Sequence, residues 1–307
     1  MNVTAICGGV GAAKLLIGIS RALAGQGVTA VVNTADDDEI YGVHVSPDLD
    51  TITYWLSGLA DTERGWGLAQ DTFNLVEGLR DLGAEAWFNL GDRDFATCLL
   101  RKSMLDSGSS LSEVTAQVAD ALGVVHRLLP MTDDRVRTRV TAAGGRTLTF
   151  QEYFVRERCE PEVTGVTFEG VEDAAPAPGV LDAIATADVV VVCPSNPVVS
   201  IGPVLAVPGI ADALARHPFV VAVSPIVGGR AIKGPADRML ESLGHGSTAA
   251  AVARGYGGFC DHFVVDVRDA GEVETVQSLG MACTALDTMM VDGTTSEKLA
   301  RDLLALR

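Results

Sequence analysis

The chain has 307 residues, 48% hydrophobic and only 21% charged, a balance that describes a well-packed globular protein rather than a disordered one. Its 40 acidic residues against 23 Lys and Arg leave a net charge of −17, which excludes the basic face that nucleic acid or an anionic membrane needs. Six dispersed cysteines with no C-x-x-C pair argue against a zinc knuckle, and no apolar run reaches membrane-spanning length, so a reduced, cytoplasmic compartment is expected.

The first strand is predicted at residues 3–7, apolar throughout. It leads into Gly8-Gly9-Val10-Gly11-Ala12-Ala13-Lys14, a strand-to-helix turn whose glycines let backbone N–H groups close on a phosphate. The turn matches neither the dinucleotide fingerprint nor the phosphate loop, because Leu15 follows Lys14; a tight turn without a ligand is the plain alternative. A helix over 12–24 and a second strand over 28–33 come next. They end in Asn33-Thr34-Ala35-Asp36-Asp37-Asp38, either a solvated acidic loop or a source of metal ligands. In Ser46-Pro47-Asp48-Leu49-Asp50-Thr51, one aspartate is suited to cap the following helix and the other to hold a hard divalent ion such as Mg²⁺. Further helices are predicted over 52–59 and 72–82.

The middle has a different texture. Residues 92–122 read as helical, with Ser112 as an N-cap, and the strands 136–141 and 147–150 flank a Gly-Gly turn in a hairpin. The expectation is an inserted helical and hairpin subdomain over 92–176, with the core formed by 1–91 and 177–307. Two polar turns mark it, Gly91-Asp92-Arg93-Asp94 and Pro130-Met131-Thr132-Asp133-Asp134, each suited to a helix start or a ligand contact.

After the insertion, strands over 189–193, 219–223 and 263–267 alternate with helices over 180–187, 210–216, 236–243 and 296–306. This is the pattern of a doubly wound, mostly parallel, Rossmann-like α/β sheet, which binds ligands at the carboxyl ends of its strands. Pro194-Ser195-Asn196-Pro197 and Ser224-Pro225-Ile226 fall at such ends. Lysine is scarce, and two of the four, Lys14 and Lys233, sit in glycine-rich segments. With scattered histidines and no G-x-S-x-G elbow, zinc and serine hydrolysis are poor candidates.

Taken in order, the glycine turn, the Asn33 and Ser46–Thr51 loops, Gly91–Asp94, Pro130–Asp134, Pro194–Pro197 and Ser224–Ile226 resemble the 2-phospho-L-lactate transferase / phosphoenolpyruvate transferase family of coenzyme F420 biosynthesis. The resemblance implies transfer of a phospholactyl or phosphoenolpyruvyl group from a guanosine-diphosphate ester to the ribityl hydroxyl of the deazaflavin Fo. F420-0 or its dehydro form would result, and GMP would leave. It puts catalysis and Mg²⁺ on Asp50, with Asp37 as second ligand and Asp36 and Asp38 as alternatives. Gly8, Gly9, Gly11, Lys14 and Asn33 would hold the diphosphate, and Ser195 and Asn196 would lie by the guanosine. Arg93, Asp133 and Asp134 would face Fo. A homodimer is also implied, as is a separate guanylyltransferase that makes the donor, a candidate partner whose contact the resemblance leaves open. The other reading is a non-catalytic nucleotide-sugar-binding regulatory protein of the same fold.

Overall fold

A computed structural model describes residues 1–307. The chain begins with strand β1 (Val3–Cys7), helix α1 (Val10–Ala22) and strand β2 (Thr29–Val32), then the small hairpin β3 (Asp38–Ile40) and β4 (Val43–Val45). Helices α2 (Pro47–Leu56), α3 (Asn74–Asp81), α4 (Asp92–Asp106) and α5 (Leu111–Ala121) precede strand β5 (Arg127–Pro130). Strands β6 (Arg137–Ala142), β7 (Thr147–Thr149) and β8 (Val163–Glu169) form a separate antiparallel sheet in the order β7-β6-β8. The return is α6 (Val180–Thr186), β9 (Val189–Val192), α7 (Gly202–Ala206), α8 (Ile210–Arg216) and β10 (Val220–Val223). A short hairpin, β11 (Ile226–Val227) and β12 (Arg230–Ala231), precedes α9 (Ala236–Ser242) and α10 (Ala249–Tyr256). Strand β13 (His262–Asp266), helix α11 (Val273–Gln277), strand β14 (Ala282–Leu286) and helix α12 (Gly293–Leu304) complete the fold.

Seven strands form one parallel sheet in the order β14-β13-β10-β9-β1-β2-β5. Strand β9 shows why an unbroken apolar run belongs there. Val190 and Val192 enter the core on one face, Val189 and Val191 the core on the other, and all four are fully buried. Helix α1 packs closely on α12. At Gly18 a Cβ would lie 2.2 Å from the Ser296 carbonyl oxygen, so the approach of the two helices requires glycine.

Two expectations need correction. Strand β5 lies inside the stretch 92–176 yet pairs in parallel with β2, at the edge of the main sheet. Helices α4 and α5 therefore belong to the crossover between β2 and β5, and only β6–β8 stand apart as a sheet. Four residues without a β-branched side chain, ending in Pro130, carry no periodic signal of a strand. The N-cap of α5 is Ser110, in a reciprocal capping box with Glu113, not Ser112. All six cysteines are free and buried; Cys7 and Cys193, on neighbouring strands, place their sulfurs 3.8 Å apart. No single helix is long and apolar enough to cross a membrane.

Candidate active site

The loops after β1, β2, β9 and β10 converge at the carboxyl edge of the sheet on one cavity of about 630 Å³. The glycine turn after β1 forms part of its wall. At Gly8 a Cβ would sit 2.4 Å from Ser200 Cβ, and at Gly11 one would sit 2.5 Å from the Pro194 carbonyl oxygen. Only glycine lets the two loops meet. The Gly8 N–H donates to Ser195 Oγ at 3.0 Å, so it serves the scaffold and not a ligand. Gly9 is the N-cap of α1 and supplies no side-chain cap, while Gly9, Val10 and Gly11 line the cavity. The N-terminus of a thirteen-residue helix thus opens onto the cavity, where its dipole and free N–H groups favour an anion. Lys14 lies one turn further on, donating to the Met290 carbonyl at 3.0 Å with its ammonium 6.0 Å from the Trp55 ring centre.

Asp36, Asp48, Asp50 and Asp94 line the same cavity. Asn33 does not; it is fully buried behind them, donating from Nδ2 to Asp48 Oδ2 at 3.0 Å and to the Val199 carbonyl at 3.2 Å. It orients Asp48, whose carboxyl is pushed up to about 7 by burial. Asp36 has one buried oxygen, Oδ1, without a hydrogen-bond partner. Burial first, and the Asp48 charge next, hold its carboxyl well above the usual range. Asp37, the expected second metal ligand, is turned away from the cavity. It accepts from Ser46 Oγ at 2.7 Å and contacts His44 Nε2 at 2.9 Å, which engages both of its oxygens at the base of the β3–β4 hairpin. Asp38 opens β3 and lies off the cavity wall.

Asp50 is gripped by Arg101, itself only 3% exposed: Nη1 donates to Oδ2 at 3.1 Å and Nη2 to Oδ1 more closely still. Tyr54 donates its hydroxyl to Asp94 Oδ1 at 2.8 Å. The Asp94 carboxyl is pushed up to about 7 by burial and then by the Asp50 charge. Ligand atoms of Asp50, Asp94 and Cys98 lie within 4.8 Å of one another, a spacing that suits one metal ion. Cys98 is the poor member of the set. Burial keeps its thiol protonated, and a soft sulfur does not suit a hard cation. Asp94, Cys98 and Arg101 are the buried residues of α4, spaced i, i+4 and i+7, so they share one helical face. That spacing was a signal available in the sequence.

The remaining expected residues divide sharply. Ser195 and Asn196 line the cavity, but Asn196 Oδ1 accepts from the Val198 and Val199 N–H groups at 2.9 and 3.3 Å and caps the turn Pro197–Ile201. Arg93 lies off the cavity wall, with Nη1 on the Ala69 carbonyl at 3.2 Å. Asp133 accepts from the N–H and hydroxyl of Ser112, both at 2.7 Å, and Asp134 accepts from the Ala175 N–H at 2.8 Å. Both hold chain segments together and lie off the cavity wall. Residues given no role in advance supply much of the wall: Lys233, marked only by its glycine-rich segment, and the aromatic side chains of Tyr54, Trp66, Phe88, Phe150 and Phe154. Phe150 and Phe154 stack with ring centres 5.5 Å apart. Trp66 is braced by the Arg64 guanidinium, 5.0 Å from its ring centre.

The family model described as 2-phospho-L-lactate transferase CofD matches residues 3–304. A phosphoenolpyruvate transferase of Streptomyces griseus is 46% identical over 312 residues, covering 100% of this chain and 98% of the relative. A 2-phospho-L-lactate transferase of Methanosarcina mazei is 39% identical over 293 residues, covering 95% and 96%. A crystal structure of a Bacillus halodurans protein superposes with a TM-score of 0.70 over 99% of both chains at 19% identity, a likeness of fold.

Proposed function

The chain belongs to the 2-phospho-L-lactate transferase family, and from that premise we propose that it moves a phosphoenolpyruvyl group from enolpyruvyl-2-diphospho-5'-guanosine to the ribityl hydroxyl of Fo. Dehydro-F420-0 and GMP are the products. The hydroxyl oxygen bonds to the phosphorus that carries the enolpyruvyl group, the bond from that phosphorus to the GMP oxygen breaks, and the hydroxyl proton is released. The enolpyruvyl donor is preferred over the lactyl one because identity to the phosphoenolpyruvate transferase of Streptomyces griseus, 46%, exceeds the 39% to the 2-phospho-L-lactate transferase of Methanosarcina mazei.

One observation supports this reading above the others. A single cavity joins the open N-terminus of α1 and two lysines to three buried carboxylates, the half-buried Asp48 and an aromatic wall. A diphosphate ester, a divalent ion and a planar acceptor need these three kinds of surface. The α1 N-terminus and Lys14 would take the diphosphate, and the aromatic rings would take the deazaflavin. Mg²⁺ fits the hard oxygens of Asp50 and Asp94, because two neighbouring carboxylates against the single Arg101 guanidinium leave an excess negative charge when both are ionised. Bound there, it would offset the negative charge on the diphosphate and the leaving GMP. Arg101 holds Asp50 in place, and Tyr54 does the same for Asp94.

Mass spectrometry tests the proposal directly: Fo is incubated with the protein, Mg²⁺ and freshly made enolpyruvyl or lactyl donor in parallel. Dehydro-F420-0 from the enolpyruvyl donor is expected. F420-0 from the lactyl donor alone would reverse the donor. Binding of UDP-sugars with no conversion of Fo would replace the enzyme by the nucleotide-sugar-binding regulator.

A further inference from the structure

Two of the four lysines behave as surface lysines do in an acidic protein: Lys102 pairs with Asp106, and Lys298 with Asp302 at 2.8 Å. The other two, Lys14 and Lys233, make no ion pair, although the chain carries 40 acidic residues. Both line the cavity. Lys14 Nζ rests on the Met290 carbonyl at 3.0 Å, and Lys233 Nζ on the Arg64 carbonyl at 3.4 Å. Partial desolvation, and then the Lys14 charge, hold the Lys233 ammonium below its usual range. Two like charges that line one cavity, neither with an ion-pair partner, repel each other, and a bound anion removes that repulsion.

The fold places Lys233 deliberately. It follows the β11–β12 hairpin, whose turn residue Gly228 has φ +60° and donates its N–H to both carboxylate oxygens of Asp269, at 3.0 and 2.9 Å. Gly65 lines the same cavity. A Cβ there would stand 1.8 Å from Lys233 Nζ and displace the ammonium, and the backbone φ of +77° itself favours glycine. The lysine reaches over a gap that the opposite loop leaves open for it.

We propose that Lys14 and Lys233 form a two-cation clamp for the adjacent phosphates of a diphosphate ester, with Lys233 a donor-binding residue supplied from a loop remote from the glycine turn. The identity of the ester rests on the transferase reading, whereas the clamp itself requires only a diphosphate. The anion then lies against the α1 N-terminus and the lysine rim, and the carboxylates are left for the metal and the acceptor.

The test is calorimetric titration of the full chain with inorganic pyrophosphate and, separately, guanosine, in Mg²⁺-free buffer. Wild type, Lys14→Met, Lys233→Met and Lys233→Arg are compared after thermal melts confirm folding. Each Met variant is expected to bind pyrophosphate at least about tenfold more weakly, with Lys233→Arg recovering most of the loss and guanosine binding unchanged. Wild-type affinity for pyrophosphate in Lys233→Met, or a parallel loss of guanosine binding, would overturn the clamp. A wild-type protein that shows the expected pyrophosphate pattern yet converts no Fo keeps the clamp and loses the transferase reading.

Discussion

Three of the four carboxylates lining the cavity are held by another side chain, whereas the cations at its rim hydrogen-bond only to backbone carbonyls. Asn33 holds Asp48, Arg101 holds Asp50 and Tyr54 holds Asp94, and these acids are carried by α2 and α4, deep in the fold. Lys14 and Lys233 donate hydrogen bonds only to the carbonyls of Met290 and Arg64, and Lys233 sits in an exposed glycine-rich loop. The floor is fixed before any ligand arrives, at the expense of burying charge. The rim keeps its charges free and can adjust to a ligand. Altering a floor built this way should change function or stability, while altering the rim should lower affinity.

Asp50→Asn tests the floor most severely. Transfer should fall by at least about 10³-fold with the protein still folded, because the neutral amide still accepts from Arg101 but no longer supplies a carboxylate to the site. Steady-state kinetics beside a thermal melt decides it; near-normal turnover would remove Asp50 from the site.

Arg101→Met should destabilise the fold by about 3–5 kcal/mol, since it leaves the Asp50 charge buried and unpaired. Urea denaturation measures the loss, and adding Asp50→Asn to it should restore much of the stability. Failure of the double variant to recover would mean that Arg101 acts by packing.

Asp94→Asn should act in the opposite direction. The Asp94 carboxyl sits at about 7 in the folded chain against 3.8 ordinarily, so the folded state keeps a proton that the unfolded state releases. The resulting penalty is full above pH 7, shrinks as pH falls and vanishes below 3.8. The amide removes it, so Mg²⁺-free protein should gain about 1–3 kcal/mol at pH 8 and nothing at pH 4. Equal gains at both pH values would show that the effect is not ionisation. Transfer should fall in the same variant, which would place the cost of the buried charge in the service of catalysis.

The smallest effect separates the cavity from its supports. Asp133→Ala should lower stability by about 1 kcal/mol through loss of its bonds to Ser112, with the KM for Fo unchanged. A raised KM for Fo would return Asp133 to the acceptor site.

Much of this was legible along the chain. Strand β1 falls on the predicted residues, the valines of β9 announce a strand buried on both faces, and the turn at Gly144-Gly145 marks the β6–β7 hairpin. The glycine turn was recognisable as a helix start open to an anion. Each of these depends on residues close in sequence, whose turn chemistry and apolar period act locally. The helical face of Asp94, Cys98 and Arg101 was also there to be read, although the motif Gly91–Asp94 drew attention to Arg93.

What composition, period and turn chemistry determined by themselves was the α/β class, the strand-end loops and the presence of acids and glycines in them. Only the tertiary structure decided which of those residues face the cavity. Neighbouring side chains such as Asp36 and Asp37 point to opposite sides of one loop, and which side is inside depends on the elements packed against it. The hairpin around His44 and Ser46 claims Asp37, and the cavity is left with Asp36. Likewise β5 becomes a strand through pairing with β2, and Lys233 meets Lys14 because the loops after β1 and β10 share one edge of the sheet. Contacts between segments far apart in the chain set these directions, and no local pattern carries them.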